Sequence, residues 1–257
     1  MLQDRQAIAD AVLKIKPTWA RRAQTWLRHK ARIVAFALPS VRRLIERDRL
    51  TPTENKAHWD GLLSDTQFST YLGGTIDVDG GNALTAVLLK YHAVQRPSVL
   101  DVGCAGGTLV NALHAFSRYF GTDVSGVAID SARAMVAQVL PDRQPDITLE
   151  AADLRDFDPP ETFDAVLFNE VLYYLKTDQA MAQVQRFAAK LNPGGLVMVS
   201  MKDDGKSRAI FHLLRPHFDW VDGILWQRKA TSPDFRIRPN RERTAYLIGV
   251  MRPKAGR

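Results

Sequence analysis

The chain has 257 residues, of which 46% are hydrophobic and 25% charged, as is ordinary for a folded globular protein. A single cysteine, Cys104, excludes an intrachain disulfide bond and fits a reducing compartment. The longest strongly apolar run, residues 33–38, is too short to span a bilayer, and the N-terminus lacks the pattern of a signal peptide. We therefore expect a cytoplasmic protein.

The net charge of +7 is concentrated at the N-terminus. Residues 1–50 hold twelve Lys or Arg and four Asp or Glu, a net charge of +8, whereas residues 51–257 hold twenty-three and twenty-four. The second part is thus nearly neutral, which argues against a nucleic-acid footprint over the whole domain. DNA is disfavoured as a partner, and RNA stays open because the N-terminal segment is basic.

The first predicted elements are a basic amphipathic helix over residues 17–38 and a short helix over residues 40–47. Arg and Lys fill much of one surface, and apolar residues recur at helical spacing on the other. Such a segment suits a lid packed on the following domain, a peripheral contact with an anionic membrane, or a phosphate contact with RNA. The apolar positions are Trp19, Ala23, Trp26, Ile33, Ala37 and Val41.

Residues 51–96 are interpreted as a helical and loop lead-in to the next domain. Residues 51–55 read as a polar connection that contains a proline, and residues 58–71 read as a helix. Two glycine pairs, Gly73-Gly74 and Gly80-Gly81, predict loops.

From Pro97 onward, strand-like and helix-like runs alternate, which predicts an α/β domain over residues 97–257 with a doubly wound, mostly parallel sheet. Most of these strands are apolar without clean alternation, as expected for a sheet covered on both faces. Two later runs, at residues 220–227 and 244–251, predict a final antiparallel pair near one edge. The strands are predicted at residues 98–102, 119–124, 147–151, 163–169 and 196–201, and the helices at residues 107–117, 126–139 and 179–190.

The informative segment follows the first of these strands. The strand contains Asp101 and runs into a loop of small residues, Gly103-Cys104-Ala105-Gly106-Gly107, before the next helix begins. Such a loop lets the backbone approach a ligand closely, and in doubly wound sheets it lies at the ligand crevice. Asp123 closes the second strand, where a carboxylate can accept hydrogen bonds from ribose hydroxyls. The loop lacks the lysine of a P-loop.

An NAD site is the alternative interpretation of this loop. The NAD fingerprint prefers glycine at its first, third and sixth positions, which here are Gly103, Ala105 and Thr108. The match is poor, so a nucleoside ligand of another kind is favoured.

Further motifs follow in order: Asp153-Leu154 after the third strand, Asn169-Glu170 after the fourth, and an Asn-Pro-Gly-Gly turn over residues 191–196. With these motifs, residues 97–201 resemble a class I S-adenosylmethionine-dependent methyltransferase. The resemblance implies a seven-stranded sheet whose last strand is antiparallel, with S-adenosylmethionine as the cofactor. We expect no metal. Ala105 departs from the family pattern, which has glycine at this position.

The resemblance also implies roles for the matching positions. Asp101, Gly103 and Cys104 would line the methionine end of the cofactor, within the loop that includes Ala105 and Gly107. Asp123 would hold the ribose, Asp153 and the backbone of Leu154 would meet the adenine edge, and Asn169 would present its backbone near the methionine amino group. Asp153 could equally be a turn or helix-capping residue, and Cys104 is better explained as a packed residue than as a nucleophile.

Acceptor groups should lie just beyond the fourth and fifth strands. This position nominates Glu170 as a catalytic residue and Tyr173, Tyr174 and Lys202 as substrate-binding residues, although the tyrosines could simply pack and residues 202–204 could form a solvated loop. His212 and His217, which flank a late helix, are interpreted as structural or exposed.

The run over residues 169–175 is similar to one in the nodulation N-methyltransferases, which act on a deacetylated glucosamine unit. It lacks the Pro-Pro-aromatic stretch of DNA amino-methylating enzymes, and the chain lacks the Pro-Cys nucleophile of cytosine C5 enzymes. The sequence therefore predicts methyl transfer to an O or N atom of a small molecule, with a saccharide or lipid-linked acceptor favoured. An RNA methyltransferase and a catalytically idle binding subunit remain the alternatives.

Overall fold

A computed structural model of the chain describes residues 52–64, 81–113, 115–227 and 245–254, together with the isolated positions 27, 31, 34, 35 and 38. Within this described part, no helix combines the length and the apolar character needed to cross a membrane. Apart from those five positions, the basic helices predicted over residues 17–38 and 40–47 lie outside the described residues. Their possible roles, and the division of the chain at residues 50 and 96, stay predictions.

Two described helices precede the sheet: α1 over Pro52–Ser64 and α2 over Gly81–His92. The polar connection predicted at residues 51–55 is wrong from residue 52 onward, because α1 begins at Pro52. Proline is well tolerated in the first turn of a helix. The predicted helix over residues 58–71 is confirmed as far as Ser64, and its remainder lies outside the described residues. The loop predicted at Gly80-Gly81 is wrong at Gly81, where α2 begins.

The sheet has seven strands in the order β3-β2-β1-β4-β5-β7-β6. The pairs among the first five strands are parallel, and β7 runs antiparallel to both of its neighbours. This order confirms the predicted doubly wound, mostly parallel sheet with an antiparallel last strand. The strands are β1 Ser98–Val102, β2 Arg118–Asp123, β3 Ile147–Ala151, β4 Phe163–Asn169, β5 Leu191–Lys202, β6 Phe218–Gln227 and β7 Ala245–Pro253.

Helices cover both faces of the sheet, so the central strands are buried on two sides. Neighbouring residues of β4 point to opposite faces, and Leu167 and Phe168 accordingly belong to two separate hydrophobic cores. Helices α2, α3 and α4 contribute to the first core, and α5 and α6 to the second. The remaining helices are α3 Thr108–Ala112, α4 Gly126–Val139, α5 Thr177–Ala188 and α6 Gly205–Leu214, with 3-10 turns at Pro141–Asp146 and Leu172–Tyr174.

Two predicted boundaries are wrong for identifiable reasons. Helix α3 ends at Ala112, five residues before the predicted end, because Leu113 is extended and the chain must turn into β2. The turn predicted over residues 191–196 is instead the bulged start of β5, which pairs at Leu191 and then shifts register. Gly194 adopts a φ of 78° within that irregularity, a backbone conformation that glycine reaches without strain.

The carboxyl ends of β1, β2 and β4 meet at one edge of the sheet. Strand β1 lies between the other two, and the strand order reverses between β1 and β4. Ligands of doubly wound sheets bind in the crevice outside such a reversal. The loops after these three strands carry most of the residues predicted to form the site.

We predict that Gly195→Ala destabilises the fold at the start of β5. A Cβ at this position would lie 2.9 Å from the carbonyl oxygen of Asn192 and 3.0 Å from that of Asp164. Because both neighbours are backbone atoms, the strand must shift, at a cost of about 1–3 kcal/mol in chemical denaturation. Gly61→Ala on α1 is the control, since a Cβ there meets no atom within 4 Å. An unchanged denaturation midpoint for Gly195→Ala would contradict this packing.

Candidate functional site

The small-residue loop after β1 is folded tightly against the neighbouring strands. The N–H groups of Gly103 and Cys104 donate to the carbonyl oxygen of Thr122 at 2.7 and 3.0 Å. Gly103 has a φ of 80°, and a Cβ there would lie 2.7 Å from the side chain of Val171. Glycine is therefore required at Gly103, both for its backbone conformation and for the close approach of the loop after β4.

Ala105, the departure from the family pattern, occupies a conformation that favours glycine. Its φ is 45°, and its N–H donates to the Asp123 carboxylate at 3.1 Å. A single alanine in this region costs about 1–2 kcal/mol. The substitution therefore preserves the shape of the loop and adds local strain, and the Asp123 bond helps to hold the residue there.

Cys104 is buried at the base of the loop. Its thiol lies 3.7 Å from the carbonyl oxygen of Ala105, and burial raises its pKa well above the ordinary value. A Cβ on Gly121 of β2 would lie 2.9 Å from this sulfur atom, so Gly121 leaves the room that the thiol occupies. A thiol held protonated in this way packs and does not act as a nucleophile.

Asp101 is a carboxylate inside the protein, with only 1% of its surface exposed. The Tyr119 hydroxyl donates to Oδ2 at 2.5 Å, while Oδ1 has no hydrogen-bond partner among the described residues. Burial raises the pKa of Asp101 to about 7, against the opposing effect of the Tyr119 hydrogen bond. An unpartnered buried oxygen of this kind is costly unless a ligand or a water molecule reaches it.

Asp123 lies at the end of β2 and fixes two loops. Its Oδ2 accepts the N–H of Ala105, and its Oδ1 accepts the N–H of Ser125 at 2.9 Å. Burial raises its pKa, and the nearby charge of Asp60 on α1 adds to the effect. Each carboxylate oxygen can accept a further hydrogen bond, so this position can still bind hydroxyl groups.

Asp153 is engaged by its own loop. Its carboxylate accepts the N–H and the guanidinium of Arg155, and the carbonyl oxygen of Leu154 accepts from Arg186. Partial burial acts to raise the pKa of Asp153, but Arg155 holds it below the ordinary value. This geometry favours the interpretation of Asp153 as a turn residue that shapes the edge of the site.

Asn169 ends β4 and belongs to a partly buried network of side-chain hydrogen bonds. Its Nδ2 donates to Oδ1 of Asn82 on α2, and Nδ2 of Asn82 donates to the Thr108 hydroxyl, each at 3.0 Å. Asn82 is only 3% exposed. The first turn of α2 therefore fixes the Asn169 side chain and links it to the start of α3.

Glu170 directly follows β4 and has a left-handed backbone with a φ of 57°. Its carboxylate accepts from the Tyr173 hydroxyl at 3.1 Å and from the Ser200 hydroxyl at 3.5 Å. Burial raises its pKa to about 7, although the N–H and the charge of Lys202 act to lower it. Glu170 forms no ion pair in the part of the chain that the structure describes. The strained conformation and shifted pKa are typical of functional positions.

Several residues of the site are not predicted from the sequence. Asn82 and Thr85 are polar residues on the buried face of α2, a signal that becomes visible only once that helix is recognised. Trp59 and Asp60 of α1 lie beside Tyr174 and Ser125. By contrast, His212 lies within α6, not beside it, and both His212 and His217 are exposed.

Comparison with known proteins agrees with this architecture. The family model described as a methyltransferase domain matches residues 100–197. The chain is 35% identical over 131 residues to the dTDP-3-amino-3,4,6-trideoxy-alpha-D-glucopyranose N,N-dimethyltransferase of Streptomyces venezuelae, a match that covers 50% of this chain and 52% of that protein. The chain thus spans about half the length of the curated relatives it matches.

Solved structures share the fold at low identity. The N-methyltransferase NodS from Bradyrhizobium japonicum WM9 matches with a TM-score of 0.53 and 22% identity, over 74% of this chain and 99% of that chain. The magnesium protoporphyrin IX methyltransferase from Synechocystis PCC 6803, solved with bound SAM, matches with a TM-score of 0.57 and 17% identity, over 80% and 99%. Residues 100–197 therefore match a methyltransferase domain, and the described part of the chain shares the Rossmann-like fold of these solved structures.

We predict that Asp101→Asn makes the protein more stable relative to wild type as the pH rises from 5 to 8. Because the folded-state pKa of Asp101 is raised to about 7, the group favours folding when protonated and loses that contribution as pH rises through 7. Asn stays neutral and can still accept from Tyr119. The difference in melting temperature should grow by at least about 2 °C, which corresponds to at least about 0.5–1 kcal/mol for a chain of this size.

Asp164→Asn provides the control for this measurement. Asn192 and Ser98 hold the pKa of Asp164 below its ordinary value against the effect of burial, so Asp164 is ionised in both the folded and the unfolded state above about pH 5. The stability difference between Asp164→Asn and wild type should therefore stay constant from about pH 5 to 8. Parallel pH trends for the two variants would contradict the assignment of Asp101 as a buried carboxylate without a compensating partner.

Proposed function

We propose that the protein is an S-adenosylmethionine-dependent methyltransferase that acts on an amine nitrogen of a small saccharide. The supporting observation is the set of three carboxylates, Asp101, Asp123 and Glu170, at the carboxyl ends of the adjacent strands β1, β2 and β4. Burial raises the pKa of each of the three, and none forms an ion pair with another described residue. A pocket of this kind is complementary to positively charged ligands.

The residues present fit S-adenosylmethionine, which carries a sulfonium and an ammonium group. The unpartnered Oδ1 of Asp101 can accept from the methionine end, beside the backbone of Gly103 and the start of the loop at Cys104. Asp123 would bind the ribose, and the backbone after Asp153 would meet the adenine edge. A dinucleotide would instead bring two phosphates to an acidic edge, which disfavours the NAD alternative.

Glu170 is the residue best placed to act on the acceptor. When bound, S-adenosylmethionine supplies a methyl group to the acceptor nitrogen, and the electron pair of the broken sulfur–carbon bond stays on sulfur. The Glu170 carboxylate would orient the amine and accept the proton that the nitrogen loses. A carboxyl group whose pKa is about 7 suits that exchange near neutral pH. Tyr173 and Ser200 hold the carboxylate in place through their hydroxyl groups.

Two relatives support nitrogen on a saccharide as the acceptor. The Streptomyces venezuelae protein is named as an N,N-dimethyltransferase of a dTDP-linked amino-trideoxy sugar, and NodS is named as an N-methyltransferase. Incubation with labelled S-adenosylmethionine and nucleotide-linked amino sugars, with the matching hydroxyl sugars alongside, tests the proposal. We expect label on the amines. Label on the hydroxyl sugars alone would contradict nitrogen as the acceptor, and label on RNA alone would favour the RNA alternative.

We predict that Asp123→Asn weakens binding of S-adenosylhomocysteine at least about tenfold. Loss of one hydrogen bond to a charged acceptor costs about 1.5–3 kcal/mol, and Asn retains a group of the same shape. Isothermal titration calorimetry measures the effect. Asp130→Asn is the matched control, because Asp130 is exposed on α4 and pairs with Arg133. Equal dissociation constants for wild type and Asp123→Asn would remove Asp123 from the ribose site.

We predict that Glu170→Gln lowers kcat at least about tenfold at saturating acceptor, because general-base catalysis contributes a factor of about 100 or more. The kcat of the wild type should rise with pH through about 7, where Glu170 ionises, and this rise should be absent in the variant. Binding of S-adenosylhomocysteine should stay unchanged. Glu161→Gln is the control, since Glu161 precedes β4 and pairs with Arg118 of β2. Equal turnover would exclude a catalytic role for Glu170.

A further inference from the structure

Helix α1 contacts two loops of the site, although it lies outside residues 100–197, which match the methyltransferase domain model. The Asp60 carboxylate accepts from the Ser125 hydroxyl at 2.6 Å, just after β2. The ring of Trp59 packs against Tyr174, which follows β4, with ring centroids 4.7 Å apart and an interplanar angle of 79°. Because β1 lies between β2 and β4, these two consecutive residues of α1 connect the loops on either side of the crevice.

A continuous row of contacting side chains connects α1 to the carboxylate of Glu170. Trp59 contacts Tyr174, and the Tyr174 ring lies 4.6 Å from the ring of Tyr173. The Tyr173 hydroxyl in turn donates to Glu170. Tyr174 keeps 56% of its surface exposed although aromatic rings lie on both of its sides. The row therefore offers accessible aromatic surface next to an acidic group.

The lysines near this row are either paired with another group or exposed to solvent. Lys56, the cation nearest on α1, pairs with Asp60. Lys202 lies near Glu170, but its side chain is exposed and forms no ion pair with Glu170 in the described structure. Aromatic faces attract cations through their quadrupole, and tryptophan and tyrosine do so most strongly. A carboxylate and aromatic rings side by side are the groups that bind an ammonium ion.

We propose that Trp59, Tyr174 and Glu170 form a binding site for the alkylammonium group of the acceptor, including its N-methylated forms. This proposal rests on the proposed function, which makes the acceptor an amine. Each added methyl group removes an N–H donor and weakens hydrogen bonding to Glu170. Attraction to the rings of Trp59 and Tyr174 needs only the charge, so the site retains the methylated amine. Successive methyl transfers to one nitrogen then become possible.

Choline and its neutral isostere 3,3-dimethylbutan-1-ol test the site without methyl transfer. Both are titrated by NMR into the full-length protein at pH 8, with and without S-adenosylhomocysteine. We expect choline to bind at least about tenfold more tightly than the isostere. Trp59→Leu and Tyr174→Leu should abolish this preference, whereas Trp59→Phe should keep most of it. Tyr91→Leu is the matched control, because Tyr91 is an exposed tyrosine near the far end of α2.

Equal binding of choline and the isostere to wild type would overturn the proposal, as would an unchanged preference in both leucine variants. The readout differs from that of the proposed function. Methylation of an amine without any choline preference would reject this site and leave the methyltransferase assignment intact. A choline preference without S-adenosylhomocysteine binding or methyl transfer would reject the proposed function and leave the cation site. Melting temperatures show whether the variants are folded. Because Tyr174 is exposed, we expect its substitution to disturb the fold less than that of Trp59.

Discussion

Three carboxyl groups at one edge of the sheet are largely shielded from water, and none of them forms an ion pair with another residue that the structure describes. Asp101, Asp123 and Glu170 end or follow β1, β2 and β4, and burial raises the pKa of each. A fold retains groups of this kind at a cost in stability when the ligand supplies the missing charge. The crevice therefore holds negative charge that a bound sulfonium or ammonium group would neutralise.

The surrounding hydrogen bonds explain how the protein tolerates this arrangement. Tyr119 binds one oxygen of Asp101, two backbone N–H groups bind Asp123, and hydroxyl groups bind Glu170. Neutral donors stabilise a buried carboxylate without cancelling its attraction for a cation. The same bonds orient the three side chains, so that ligand binding requires little rearrangement of the polar groups.

The sequence predicts the central part of this structure well because local signals and tertiary demands agree there. The strands β1, β3 and β4 and the helix α4 begin and end where predicted. Pro97, Gly103, Asp146 and Pro141 lie beside the ends of three of these elements. Helix α2 is missed because its first residue, Gly81, belongs to a glycine pair that predicts a loop. The hydrogen bond between the side-chain amides of Asn82 and Asn169 joins residues 87 positions apart. Contacts of that range, like the one between Trp59 and Tyr174, leave no trace in a local pattern.

The two outer strands of the sheet differ from the central ones in a way that bears on assembly. Strand β6 carries an irregularity between Trp220 and Asp222, and β3 exposes Thr148 and Glu150. A bulge twists an edge strand away from a would-be neighbour, and charged side chains along an edge make pairing with another strand unfavourable. The irregularity on β6 and the charge of Glu150 on β3 thus disfavour the pairing of a second molecule with the outer strands of the described sheet.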